Sequence, residues 1–137
     1  MTNILCTLTL GLLFLLTACS NDIGTTYDIG GTPPGIQTIT ATEAHRIMYN
    51  TYDFILLDVR TIPEFEERRI EGAILIPYNE LAARADIELS DKNTTILIYC
   101  QSGRRSAIAL SILAELGYTS LYDFGGIINW PFETISN

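Results

Sequence analysis

The chain has 137 residues, 47% of them hydrophobic, which is enough for one domain with a real core. Its 16 acidic and 8 basic side chains leave a net charge of −8. That balance excludes the basic stripe a nucleic-acid surface needs, so no nucleic-acid partner is expected.

The first stretch, MTNILCTLTLGLLFLLTAC, carries no charged side chain. Its apolar segment, residues 4–16, falls short of the roughly 20 residues that span a bilayer. It suits the apolar region of a secretory signal followed by small residues. Leu16-Thr17-Ala18-Cys19 resembles a bacterial lipobox, although no Lys or Arg stands near the start. The resemblance implies a leader over 1–18, lipidation of Cys19, and an exported protein held at the membrane by that lipid, facing the periplasm or the cell exterior. An uncleaved anchor and a simple secretory signal are the alternatives. If Cys6 leaves with the leader and Cys19 becomes a thioether, Cys100 is the one free thiol. An unpaired cysteine in an exported protein points to reactivity or intermolecular pairing, against the plainer possibility of a small buried hydrophobe.

Residues 19–35, rich in Gly, Pro, Thr and Asp, read as the lipidated cysteine and a flexible tether, which leaves 36–137 as the domain. IQTI suggests a short first strand. Thr40-Ala41-Thr42-Glu43 has capping-box spacing and opens a helix through Met48. FILLDV, residues 54–59, is a continuous apolar run that ends in polar residues, as a buried parallel strand does. PEFEER predicts a short helix with Pro63 in its first turn, AILIP a strand, and 79–85 a helix. SDKN reads as a turn and TTILIY, residues 94–99, as a strand. AIALSILAEL, residues 107–116, is apolar nearly all round and predicts a helix buried on several sides, capped by Gly117. SLYDF is a last strand, and GGIINW turns into a final short helix. This alternation predicts an α/β fold with a mainly parallel sheet. In such sheets ligands sit at the carboxyl ends of the strands, where Cys100 lies.

Between the 94–99 strand and the 107–116 helix stands CQSGRRS, residues 100–106. A thiol reacts as its thiolate, which a helix N-terminus and nearby cations favour. Gly103 permits a positive-φ turn, so successive backbone N–H groups can converge on one centre and bind an anion, reinforced by Arg104 and Arg105. The alternative is a plain strand-to-helix turn with solvated or acid-paired arginines.

Several stretches together resemble the single-domain rhodanese-like sulfurtransferases, over nearly all of 36–137. They are Leu57-Asp58-Val59-Arg60 with Pro63-Glu64-Phe65, Ile70-Glu71-Gly72-Ala73-Ile74-Leu75-Ile76-Pro77, Tyr99 to Ser106, Leu116-Gly117-Tyr118, and Gly125-Gly126 through Trp130. Two positions depart from the pattern. Arg68-Arg69 stand where Gly-His is frequent, and Gln101 stands where Arg is frequent; effects on anion affinity or fit are expected. The resemblance implies a three-layer α/β/α sandwich around a mainly parallel sheet of about five strands. It implies Cys100 as the catalytic nucleophile, with Gln101, Ser102, Gly103, Arg104 and Arg105 cradling a persulfide. The partners it implies are a small anionic sulfur donor such as thiosulfate and a thiol or cyanide acceptor, with no cofactor. Ping-pong covalent catalysis follows, with no general base if the thiolate is already formed.

Asp58 and Arg60 follow a buried strand, and a structural ion pair supporting the site is expected ahead of direct catalysis. His45 reads as surface or packing, and Trp130 as packing. Glu64, Glu66 and Glu67 read as a solvated helix face, and no metal-ligand spacing appears. Two other functions compete with the enzyme. A cysteine phosphatase or arsenate reductase on a related fold needs C-x5-R, but residue 106 is Ser and the arginines fall at C-x3-R and C-x4-R. A tethered non-enzymatic persulfide carrier or binding module is the other.

Overall fold

In a computed structural model, residues 35–137 are described. The leader, Cys19 and the tether up to residue 34 lie outside them. The elements run β1 (Ile36–Thr38), α1 (Ala41–Asn50), β2 (Phe54–Asp58), α2 (Ile62–Glu67), β3 (Ile74–Leu75), α3 (Leu81–Glu88), β4 (Thr95–Cys100), α4 (Arg104–Glu115) and β5 (Leu121–Gly126), then a 3-10 turn at Ile127–Asn129.

The five strands form one sheet in the order β1-β5-β4-β2-β3, and every neighbouring pair is parallel. Both faces are covered, which is why β2 and β4 carry the uninterrupted apolar runs 54–57 and 96–100. Alternation still sorts their side chains. Ile96, Ile98 and Cys100 join Leu57, Ala85, Ala109 and Leu113 in one core cluster, under α3 and α4. Leu97 and Tyr99 join Ala44, Ile47, Tyr122 and Phe124 in the other, under α1. The result is the expected three-layer α/β/α sandwich.

Several boundaries differ from the sequence expectation. Helix α4 starts at Arg104 rather than at 107, because Gly103 takes a left-handed conformation (φ 102°) that turns the chain directly from loop to helix. Both arginines therefore belong to the first helical turn. Helix α3 starts at Leu81 rather than at 79, after a turn in which the Glu80 N–H donates to the Pro77 carbonyl. Strand β3 keeps only two residues of AILIP, and the closing helix is a single 3-10 turn.

One expectation is corrected. Helix α4 is not buried on several sides: Ser106, Ala109 and Leu113 are buried, whereas Ala107, Ile108 and Ser111 are exposed. It lies in an outer layer, so only the face against the sheet is shut from water. The first helix does carry the capping box: the Glu43 N–H donates to Thr40 Oγ1 (3.2 Å) and the Thr40 N–H donates to Glu43 Oε2 (2.8 Å).

Candidate active site

Strand alternation aims the Cys100 side chain at the α4 face, where the residue is 1% exposed. Its Sγ accepts the Gly103 N–H at 3.0 Å. Helix α4 begins one residue later, so its positive end also faces the sulfur. Ser106 Oγ lies 3.7 Å from Sγ and receives the thiol hydrogen. The same hydroxyl is 2.9 Å from the Gly103 carbonyl and 3.3 Å from that of Gly125. Sequence reasoning weighed Ser106 only as the place where an arginine was missing. The helix expected from the sequence begins at 107 and leaves Ser106 outside it; with α4 starting at Arg104, Ser106 falls in its first turn, on the same face as the buried Ala109.

The end of β5 forms the other wall of the loop. Gly126 pairs with Cys100 in the sheet, after a bulge between Ile98 and Cys100. A Cβ at Gly126 would fall 2.6 Å from Ser102 Cα, 2.8 Å from Ser102 N, and closer still to the Gln101 carbonyl oxygen. Only a residue without a side chain permits this approach. Gly125 adopts φ 86° for a different reason: its N–H turns to donate to Asp123 Oδ1 at 2.8 Å. The Ile128 N–H donates to the Gln101 carbonyl at 3.3 Å, completing the clasp.

The two arginines of the loop separate. Arg105 is bound through both terminal nitrogens to Glu64, at 2.8 and 2.7 Å. Arg104 is exposed, with no hydrogen-bond or ion-pair partner among the described residues. The expectation of a solvated acidic face on α2 is thereby corrected at one position. Glu66 and Glu67 are exposed, but Glu64 is half-buried. Its Oε2 also accepts from the Thr61 N–H (2.9 Å) and hydroxyl (2.7 Å). The Arg105 guanidinium, with the Thr61 donors, holds the Glu64 carboxyl down at about 2.

Asp58 and Arg60 are both buried and form an ion pair at 2.7 Å. Arg60 Nε lies 3.0 Å from each Asp58 oxygen, and the Arg60 backbone N–H donates to Oδ1 at 2.9 Å. Burial opposes the Arg60 charge, but the bonds to Asp58 more than offset it and hold the group above the usual arginine range. Arg60 then spans to the loop: Nη1 donates to Gln101 Oε1 at 3.3 Å and Nη2 donates to the Arg68 carbonyl. Its Cζ lies 5.6 Å from the centre of the Tyr99 ring. The pair thus anchors the Cys100 loop to the C-terminal end of α2. Burial pushes the Tyr99 hydroxyl above the usual tyrosine range.

Beside the loop opens a cleft of about 400 Å³, lined by Arg60, Glu64, Glu67, Arg68, Gln101 and the segment 134–136. That segment is fixed by a two-bond bridge between Arg69 and Ile135, with both N–H groups donating at 2.8 Å. Arg69 itself lays its guanidinium over the Phe65 ring, 5.0 Å from the centre.

His45 stacks on Phe132 with ring centres 3.7 Å apart, and Trp130 lies 5.5 Å from Phe124. Both belong to the α1 side of the sheet, opposite Cys100. Among the described residues no group of three His, Cys, Asp or Glu side chains is placed to hold a metal ion. The structure therefore gathers Cys100, Gln101, Ser102 and Gly103 with Asp58 and Arg60. It turns Arg105 toward Glu64 and leaves Arg104 free.

Known proteins resemble this chain in sequence and in fold. The thiosulfate sulfurtransferase PspE of Escherichia coli is 39% identical over 71 residues, which span 52% of this chain and 68% of that protein. A sulfurtransferase of Allochromatium vinosum is 34% identical over 82 residues, 59% of this chain and 75% of that one. A solved E. coli rhodanese with anions superposes with a TM-score of 0.57 at 34% identity, covering 61% of this chain and 98% of that one. The Helicobacter pylori protein hp1203 gives 0.59 at 31%, over 73% and 89%. The rhodanese-like domain profile matches residues 40–131, and the chain belongs to that family.

Proposed function

We propose that this protein is a sulfurtransferase that moves a sulfane sulfur from thiosulfate, or a similar small anionic donor, to a thiol or cyanide through a persulfide on Cys100. The observation that carries this reading is the Cys100 sulfur at a strand end, receiving the Gly103 N–H at the start of α4. Negative charge on sulfur is stabilised there by a fixed donor and a helix dipole. The Cys100 thiolate attacks the outer sulfur of thiosulfate. The bond between that sulfur and the sulfonate sulfur breaks, and its electron pair leaves with sulfite. The persulfide sits in the loop, and an acceptor then attacks its outer sulfur and returns the thiolate. Ser106 changes roles across the cycle: it accepts from the thiol, and by rotating its hydroxyl it can donate to the thiolate.

Ser106 also bears on the phosphatase alternative. That chemistry calls for arginine at position 106, and here the position is a fully buried serine in contact with Sγ. The test is a thiosulfate–cyanide assay on the full-length chain, with intact-mass analysis of the donor-treated protein. Cys100→Ala abolishes turnover and the added sulfur atom; equal rates in the two proteins reject the assignment. We further propose that lipid on Cys19 holds the domain at the membrane on the exported side, a reading that rests on the sequence of the first 19 residues. Mass spectrometry of the mature N-terminus decides it: an unmodified Met1 overturns it.

A further inference from the structure

The cleft beside the Cys100 loop contains more than one kind of charge, and most of that charge is already matched. Arg60 is neutralised by Asp58, and Glu64 by Arg105. Gln101 gives its carbonyl oxygen to Arg60, which leaves its amide N–H groups as donors. What remains is one carboxylate, Glu67, and one guanidinium, Arg68. Both are exposed, and neither has a hydrogen-bond or ion-pair partner among the described residues. Thr134 and Ser136 also line the cleft.

The walls are held in place. The Arg68 N–H closes α2 on the Glu64 carbonyl, the Arg68 carbonyl receives Arg60 Nη2, and the Arg69–Ile135 bridge fixes the far side. A volume of about 400 Å³ lies within the range of small-molecule sites, about 300–1,000 Å³. It far exceeds what cyanide or sulfite fills. Gln101, which directly follows Cys100 in the chain, is one of the residues that line the cleft.

We propose that this cleft is the acceptor subsite, and that its ligand is an amino-acid thiol: a low-molecular-weight thiol carrying both a free carboxylate and a free ammonium group. The proposal rests on the sulfur-transfer reading of Cys100 given above. Arg68 takes the carboxylate as a planar two-donor fork, and Glu67 takes the ammonium. The acceptor thiolate attacks the outer sulfur of the protonated Cys100 persulfide. A new sulfur–sulfur bond forms to the acceptor, the bond to Cys100 Sγ breaks, and its electron pair returns to Sγ as thiolate. The sulfane sulfur leaves with its proton as the acceptor's persulfide, and no outside oxidant or reductant is required.

Binding is tested apart from turnover, by ¹⁵N NMR titration of the full-length chain with S-methylcysteine, which has no thiol to react. Amide shifts are expected at Glu67, Arg68, Gln101 and Ser136. They are expected to vanish with the N-acetyl methyl ester, which lacks both charges, and Arg68→Glu weakens binding about tenfold or more. In the kinetic arm, persulfide-loaded protein prefers cysteine over 2-mercaptoethanol, and Arg68→Glu lowers that preference about tenfold. Equal shifts with the charged and blocked compounds, or none at the cleft, overturn the site. Binding without any kinetic preference for cysteine overturns its role as acceptor subsite. A Cys100→Ala protein as active as wild type defeats the sulfur-transfer reading instead, while the titration still judges the cleft.

Discussion

Gly126→Ala isolates the contact that shapes the active loop. Gly126 sits at extended backbone angles (φ −116°, ψ 142°) that alanine adopts freely, so the substitution carries no conformational strain. On that ground alone it would stabilise the protein by about 0.4–1 kcal/mol, through a less flexible unfolded chain. The new methyl, however, meets Ser102 Cα at 2.6 Å and Ser102 N at 2.8 Å, about 1 Å inside ordinary contact. Every atom it strikes is backbone, so no side chain can rotate away. Overpacking of this kind typically destabilises by about 1–3 kcal/mol, which leaves a net loss centred on about 1 kcal/mol and reaching about 2.6 kcal/mol. The alternative to strain is a loop displaced by about 1 Å, and a misplacement of that size can lower turnover by about 10²-fold. Urea denaturation gives the first quantity, and the thiosulfate–cyanide assay the second. The neighbouring Gly125→Ala is the control. It meets nothing within 4 Å but sits at φ 86°, so it loses about 1–2 kcal/mol through backbone strain without displacing the loop amides in NMR spectra. A Gly126→Ala protein with unfolding midpoint and turnover at or above wild type would refute the reasoning.

Asp58→Asn leaves Arg60 buried and charged with its carboxylate removed, and is expected to lower stability by about 3–5 kcal/mol in urea denaturation; a loss under about 1 kcal/mol would deny the pair its anchoring role. Glu64 sits at about 2 in the folded protein against an ordinary 4.5, so its contribution is complete above pH 4.5 and is lost as the pH falls toward 2. The shift bounds the effect at about 3 kcal/mol, and screening of this partly exposed pair lowers it to about 1 kcal/mol. Wild type should therefore exceed Glu64→Gln by that margin at pH 6, with the gap closing below pH 4 in urea titrations, and a gap independent of pH contradicts the assignment. Arg104→Ala, which removes a guanidinium with no partner among the described residues, should lower kcat/KM for thiosulfate about tenfold at low salt and less at high salt; a salt-independent loss points away from charge.

How much of this was legible in the sequence follows the range of the interactions. The parallel sheet was readable because a strand buried on both faces carries a continuous apolar run, as FILL within FILLDV and ILIY within TTILIY do. The capping box of α1 was readable because its partners lie three residues apart. Cys100 and its glycine were readable because the loop is one continuous heptapeptide. What escaped was the partner of each charge. Glu64 and Arg105 are separated by 41 positions, and nothing in PEFEER distinguishes Glu64 from its exposed neighbours except the threonine three residues before it. Helix α4 was misjudged in exposure because apolar periodicity reports composition, and a helix in an outer layer can keep Ile108 at the surface. Gly125-Gly126 looked like a single turn signal, yet one glycine serves a positive φ and the other a close approach between chains.

The pairing of charges changes what the basic loop offers to a donor. Two adjacent arginines beside a thiol suggest a doubled anion receptor. In the fold, both terminal nitrogens of Arg105 are occupied by a carboxylate held ionised down to about 2, so near neutral pH that pair presents almost no net charge. Arg60 is likewise cancelled by Asp58. Of the four guanidiniums near the loop, Arg104 and Arg68 keep their charge unspent, one in the first turn of α4 and the other in the side cleft. An approaching anion thus meets one free arginine, the Gly103 N–H and the helix terminus, rather than a cationic cluster. The paired arginines act by position. Arg105 ties α2 to the first turn of α4, and Arg60 ties the end of β2 to Gln101, so that the loop around Cys100 is clamped from two sides while its field stays modest. A loop held this way would release a charged product as readily as it receives a charged donor, as the two-step exchange of sulfur proposed at Cys100 requires.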